Sequence, residues 1–203
     1  MDEKHSKSCT AFEGSRRIAS GNLEQVVAKV KEVVDKGEDE PVLIFDDFTS
    51  EVIEVDLRGA LSEVLMRLEK PAAGGASTAG PANADDKAAR GPGRPKLGVV
   101  SREVTLLPRH WDWLNSQPGG ASVALRKLVE EARRVNSGRD KVRHSQETAY
   151  RFMSAMAGNL PGFEEAVRAL FAGNGERFDS LVDSWPADVR DHARKLASIA
   201  LRG

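Results

Sequence analysis

Residues 91–134 read GPGRPK (91–96), VVSREVTLLP (99–108), RHWDWLNSQ (109–117), PGGAS (118–122) and VALRKLVEEARR (123–134). A basic Gly/Pro segment leads into one short strand, then into two short helices joined by a glycine turn. Pro108 presets φ for a first helical position. Trp111 and Leu114, with His110 beside them, form the inner stripe of the first helix. Pro118-Gly119-Gly120 enforces the turn. Ser122, or Gly120 before it, caps a second helix whose apolar positions are Val123, Leu125, Leu128, Val129 and Ala132. A lone strand cannot satisfy its own backbone, so it predicts a partner strand. Supplied by a second copy of the chain, that partner would complete a basic two-stranded ribbon of the kind that fits the major groove of DNA.

Charge supports this focus on the middle of the chain. The net charge of −1 conceals a segregation. Residues 1–86 carry 10 Lys/Arg against 18 Asp/Glu, residues 87–143 carry 13 against 5, and residues 144–203 carry 7 against 8. Only the middle segment is a nucleic-acid candidate on electrostatic grounds. With 40% hydrophobic and 30% charged residues, the composition suits a globular protein. No apolar run approaches the eighteen or so residues of a membrane span, and the N-terminus lacks an apolar h-region. A single cysteine, Cys9, excludes an internal disulfide, and a cytoplasmic setting is expected.

Outward from the centre, the expectation is an α+β chain in four parts. Residues 8–70 read as a small ββαββα domain. Cys9-Thr10-Ala11-Phe12 and Arg16-Arg17-Ile18-Ala19 form a hairpin around Glu13-Gly14-Ser15. Asn22 precedes an amphipathic helix with Leu23, Val26, Val27, Val30, Val33 and Val34 at helical spacing, and Gly37 sits where a C-cap belongs. Val42–Phe45 and Val52–Leu57 predict a second hairpin, and Ala60–Leu68 a second helix. Residues 71–96 hold Ala, Gly, Pro, Ser and Thr without apolar periodicity, the composition of a disordered linker. Residues 97–136 are the strand-helix-helix segment, which Asn136-Ser137-Gly138 ends. Residues 144–203 predict a helical module: a first helix with Tyr150, Phe152, Met153 and Met156 ending near Gly158, a second around Phe163–Phe171, a third around Phe178–Trp185, and a fourth opened by Pro186.

Over Val100–Arg134 the strand–Pro–helix–Gly–helix order resembles the ribbon-helix-helix (MetJ/Arc-like) repressors. That resemblance implies an obligate homodimer whose ribbon enters the major groove of double-stranded DNA. Its outward positions fall on Arg102, Val104 and Leu106, with Thr105 and Leu107 inward. Val104 and Leu106 depart from the pattern, since aliphatic side chains cannot make the bidentate hydrogen bonds that read bases. Gly93-Arg94-Pro95, with Arg90 ahead and Lys96 behind, resembles the core of an AT-hook, an extended tripeptide that lies in a narrow A·T minor groove. The bare amides at the start of the second helix suit a phosphate, with Arg126 and Lys127 close by.

Other chemistry finds little footing. His5, His110, His144 and His192 stand apart with no metal-ligand spacing, and no phosphate loop, dinucleotide fingerprint or nucleophile elbow is present. Asp46, Asp47 and Asp56 are the best carboxylate cluster, more simply explained as loop chemistry than as a divalent-cation site. No enzyme, cofactor or metal is expected. The leading expectation is a DNA-binding, regulatory dimer that contacts DNA through Arg90, Arg94, Lys96, Arg102, Val104, Leu106, Arg126 and Lys127. The alternative is a protein-interaction adaptor without nucleic-acid binding. In the first case the terminal domains would take effectors or protein partners; in the second the central segment would meet an acidic partner, which could be the chain's own N-terminal domain. Taken end to end, the chain resembles a bacterial family of unknown function (domain-of-unknown-function family 2239) through LIFDDFTSEVIEVDLRG, the central segment and ETAYRFMSAMAGNLPGFEEAVRALF. This implies a bacterial source and a domain order, but no activity.

Overall fold

The computed structural model describes residues 8–37, 40–69, 100 and 102–202. The chain divides into two compact units, Met1–Ala72 with Asn136–Gly203, and Ala73–Val135. The first is therefore assembled from both ends of the chain.

In the first unit, β1 (Ser8–Glu13) and β2 (Arg16–Asn22) make the hairpin expected from the sequence. Gly14 turns it with φ of 51°, in the left-handed region that favours glycine. Asn22 caps α1 (Leu23–Val34) by accepting from the Gln25 amide at 2.9 Å. β3 (Val42–Asp46) pairs antiparallel with β1, giving a sheet of order β2-β1-β3. The free edge of β2 is partly closed by a side chain, since the Arg17 amide donates to Asp188 Oδ2 at 2.8 Å.

The fourth strand expected over Val52–Leu57 does not form. Only an isolated bridge joins Val52 to Phe45, and the Ile53 amide donates to the Ile44 carbonyl at 2.7 Å. The period-two pattern nevertheless sets the facing correctly: Ile53, Val55 and Leu57 are half-buried while Val52, Glu54 and Asp56 are exposed. Asp56 then turns to Arg58, whose Nε and Nη2 donate to its two carboxylate oxygens at 2.8 Å each, and the ladder goes no further. α2 (Leu61–Glu69) follows.

Beyond the segment 100–107 come α3 (Pro108–Ser116) and α4 (Gly120–Met156). The break expected at Asn136-Ser137-Gly138 is absent, so α4 runs through it as one helix of 37 residues. α5 (Phe163–Phe171), α6 (Gly175–Val182) and α7 (Ala187–Ala197) close the chain much as their apolar spacing indicates.

Both faces of the sheet are covered. Cys9, Ala11 and Ile44 pack with Val26, Val27 and Val30 of α1 and Val64 of α2. Phe12 and Phe45 point the other way, into a core with Phe152 and Met153 of α4, Leu170 of α5, Phe178 of α6 and Val189 and Ala193 of α7. Their ring centroids lie 5.3 Å (Phe12–Phe152) and 5.2 Å (Phe45–Phe152) apart, the second pair edge-to-face. The buried Trp185 donates its indole N–H to the Pro161 carbonyl at 2.9 Å. The two ends of the chain, read separately from sequence, thus share one core.

Every residue of α4 from Arg126 to Lys141 is exposed. Local ion pairs such as Arg143–Asp140 at 2.8 Å are among the contacts it makes there. Most helical stability in proteins comes from tertiary packing, which this stretch lacks, and a mid-helix glycine costs about 1 kcal/mol relative to alanine. Hydrogen-exchange mass spectrometry should therefore find amides of residues 130–141 exchanging roughly 100-fold faster than those of 148–156. Gly138→Ala should slow them by about 5-fold. Equal rates in the two stretches would contradict this.

Candidate nucleic-acid interface

The second unit builds its surface from few parts. Leu107 adopts an extended backbone and its carbonyl accepts from the His110 amide at 2.8 Å, with Pro108 following at the first helical position. Leu114 is the buried anchor of α3. The chain then reverses through Gly119 (φ 88°) and Gly120 (φ 77°), and a Cβ on Gly119 would crowd the Val123 side chain at 3.2 Å. Ala124 of α4 is buried too. Between the helices lies an open depression of about 200 Å³ lined by Trp113, Gln117, Pro118, Ala124, Lys127 and Leu128.

Most apolar side chains here have no cover. Val100, Val104, Leu107, Trp113, Leu128, Val129 and Val135 are all exposed, Val104 by 53%, Trp113 by 51% and Val135 by 68%. Trp113 is thus half in solvent. The expected inner stripe of α3 reduces to Leu114 with a half-buried Trp111, and His110 is exposed.

Of the expected contact residues, Arg102, Val104, Arg126 and Lys127 are exposed, and Leu106 is half-buried. Residues 102–107 form neither helix nor strand, and the one sheet among the described residues is β2-β1-β3. The strand expected there is therefore not formed by the single chain. Arg90, Arg94 and Lys96 lie outside the described residues, as does the linker reading of 71–96. Ser122 is not a cap: it lies within the first turn of α4, where its hydroxyl accepts from Arg126 Nη2 at 2.9 Å.

In the first unit the carboxylates are taken up locally. Asp46 Oδ1 accepts from the Phe48 and Thr49 amides at 2.9 and 3.0 Å. Asp47 accepts from Ser8 and Thr10 hydroxyls at 2.8 and 2.6 Å. The pairing of Asp56 with Arg58 holds its carboxyl well below the usual carboxylate range. Among the described residues, no group of three or more His, Cys, Asp or Glu could hold a metal ion. Burial, then the charges of Asp47 and Asp46, push the Cys9 thiol up to about 11, which leaves it unreactive as a nucleophile near neutral pH. His192 is buried against Phe12 and Phe152, at centroid distances of 5.4 and 4.6 Å. Neither of its ring nitrogens meets a hydrogen-bond partner among the described residues. Burial, aided by the charge of Lys195, lowers its pKa to about 4.

These features define an α+β protein whose first unit is made by the two ends of the chain and whose middle carries a helical pair with basic and apolar surface. No described helix is long and apolar enough to cross a membrane. The chain belongs to the family described as an uncharacterized protein conserved in bacteria (DUF2239), whose model matches residues 8–197. No curated protein and no solved structure matches it.

Proposed function

We propose that the protein is a DNA-binding dimer, regulatory rather than catalytic, whose contact surface is the second unit. One observation carries this reading: exposed large apolar side chains and exposed basic side chains are concentrated in the same short segment, 100–135. Exposed apolar patches mark interaction surfaces. A second copy would cover Leu107, Trp113 and Leu128 and would supply the strand partner that residues 102–107 lack. The paired ribbon would present Arg102 with Val104 and Leu106, and Arg126 and Lys127 would stand near phosphates. Arg94 of the Gly-Arg-Pro segment, flanked by Arg90 and Lys96, would reach the adjacent minor groove. The aliphatic ribbon positions favour methyl contact and shape over base-specific hydrogen bonding. The first unit would take an effector or a protein partner.

A protein-interaction adaptor would draw on the same apolar face, and two measurements on the full chain separate the readings. Sedimentation should give a dimer at micromolar concentration, shifted to monomer by Leu107→Asp with Leu128→Asp, and duplex affinity should fall with it. Arg94→Ala should weaken binding to A·T-rich duplexes selectively. A monomeric wild-type chain with no duplex affinity at about 50 mM salt would leave only the adaptor.

A further inference from the structure

We infer that α4 carries a second pair of phosphate-contacting residues, Arg133 and Arg134, one helical repeat beyond Arg126 and Lys127. This deepens the DNA-binding reading and rests on it. At 3.6 residues per turn, residues seven apart fall about 20° from alignment. Arg126 therefore stacks over Arg133, and Lys127 over Arg134, on one face of α4.

All four side chains are exposed. Glu130 lies between the pairs and meets Arg133 Nη1 at 3.2 Å, while Glu131 meets Arg134 Nη2 at 3.3 Å. Both ion pairs are largely in solvent and so are weak and exchangeable. The apolar positions Leu128, Ala132 and Val135 fall on the other side of the helix. A surface that gives one side to a second copy keeps its cations outward on the opposite side.

The occupant is the sugar-phosphate backbone of duplex DNA, and charge complementarity with spacing argues for it. Seven residues rise about 10.5 Å, close to the roughly 12 Å width of the major groove. The second pair can therefore meet phosphates beyond those that Arg126 and Lys127 meet, flanking the groove that the ribbon enters and leaving the bases unread. These residues then add affinity and salt dependence without adding sequence preference.

Titration of the full-length protein against short A·T-rich and G·C-rich duplexes between about 50 and 200 mM salt tests this directly. Arg133→Gln with Arg134→Gln should lower the slope of log K against log salt by about 1.8, a loss of about 60-fold at 0.1 M salt, equal on both duplexes. Arg133→Lys with Arg134→Lys should restore the slope, which a merely structural role in α4 would not require. If wild type binds and the glutamine variant keeps its slope, the second pair falls and the DNA-binding reading stands. If wild type binds neither duplex, both fall. Loss of binding to vesicles rich in phosphatidylglycerol, without duplex affinity in the wild type, would overturn the proposal in favour of a membrane surface.

Discussion

Phe152→Ala should destabilise the first unit by about 3–5 kcal/mol, the cost of deleting a large ring from a packed core. Phe152 is fully buried and faces Phe12, Phe45 and His192, so the cavity would open at the meeting point of sheet and helices. The more telling form of the experiment is Phe12→Ala, with Trp185 fluorescence as the readout after Trp111 and Trp113 are changed to Phe. A hairpin ring deleted near the start of the chain should shift the unfolding of helices near its end, in one transition by fluorescence and circular dichroism. If the Trp185 transition stayed put, the shared core would be refuted.

Acid should weaken the same core through His192. Its folded pKa of about 4 lies below the 6.5 of an unhindered imidazole, so the unfolded chain takes the proton first as pH falls. Above about pH 6.5 the ring is neutral in both states, so the stability is fully present and does not change with pH through this group. Between pH 6.5 and 4 the unfolded state gains, and below about 4 the loss levels off. At about 1.4 kcal/mol per pH unit the full effect is about 3–4 kcal/mol. The neighbouring charges are Lys195 on α7, Arg17 on β2 and Asp47 after β3, and only the aspartate favours protonation. Urea unfolding at pH 7 and pH 4.5 should show the loss in wild type, and His192→Phe should flatten it. An unchanged pH dependence in that variant would exonerate the histidine.

Local chemistry made much of this fold legible. Gly14 at a hairpin turn, Asn22 as a helix cap and the spacing of Phe163, Val167, Leu170 and Phe171 each act over a few residues, and sequence displays them directly. Val42-Leu43-Ile44-Phe45 was visible as a strand. Its lack of polar alternation also signals burial on both faces, which a hairpin reading of the segment overlooks. Asn136-Ser137-Gly138 suggests a stop because these residues are poor helix formers. Yet Val135, Val142, Ala149 and Met156 recur every seven residues across it, and the helix keeps that phase. Val52–Leu57 alternates correctly but has little ladder, because hydrogen bonding depends on the approach of β3, which alternation does not encode. At the candidate interface, Arg126 and Lys127 could be placed from charge and helical spacing. The exposure of Trp113 could not, since an aromatic side chain reads as core whether its cover comes from its own chain or from another.

Building one core from both ends of the chain has a cost during synthesis. The 107 residues from Phe45 to Phe152 take the ribosome about 5–20 seconds at roughly 5–20 residues per second. Throughout that interval the aromatic side of the nascent hairpin has emerged without the helices that will cover it. Such a surface is what chaperones bind, so newly made chains should depend on trigger-type holding more than the small size of the finished protein suggests.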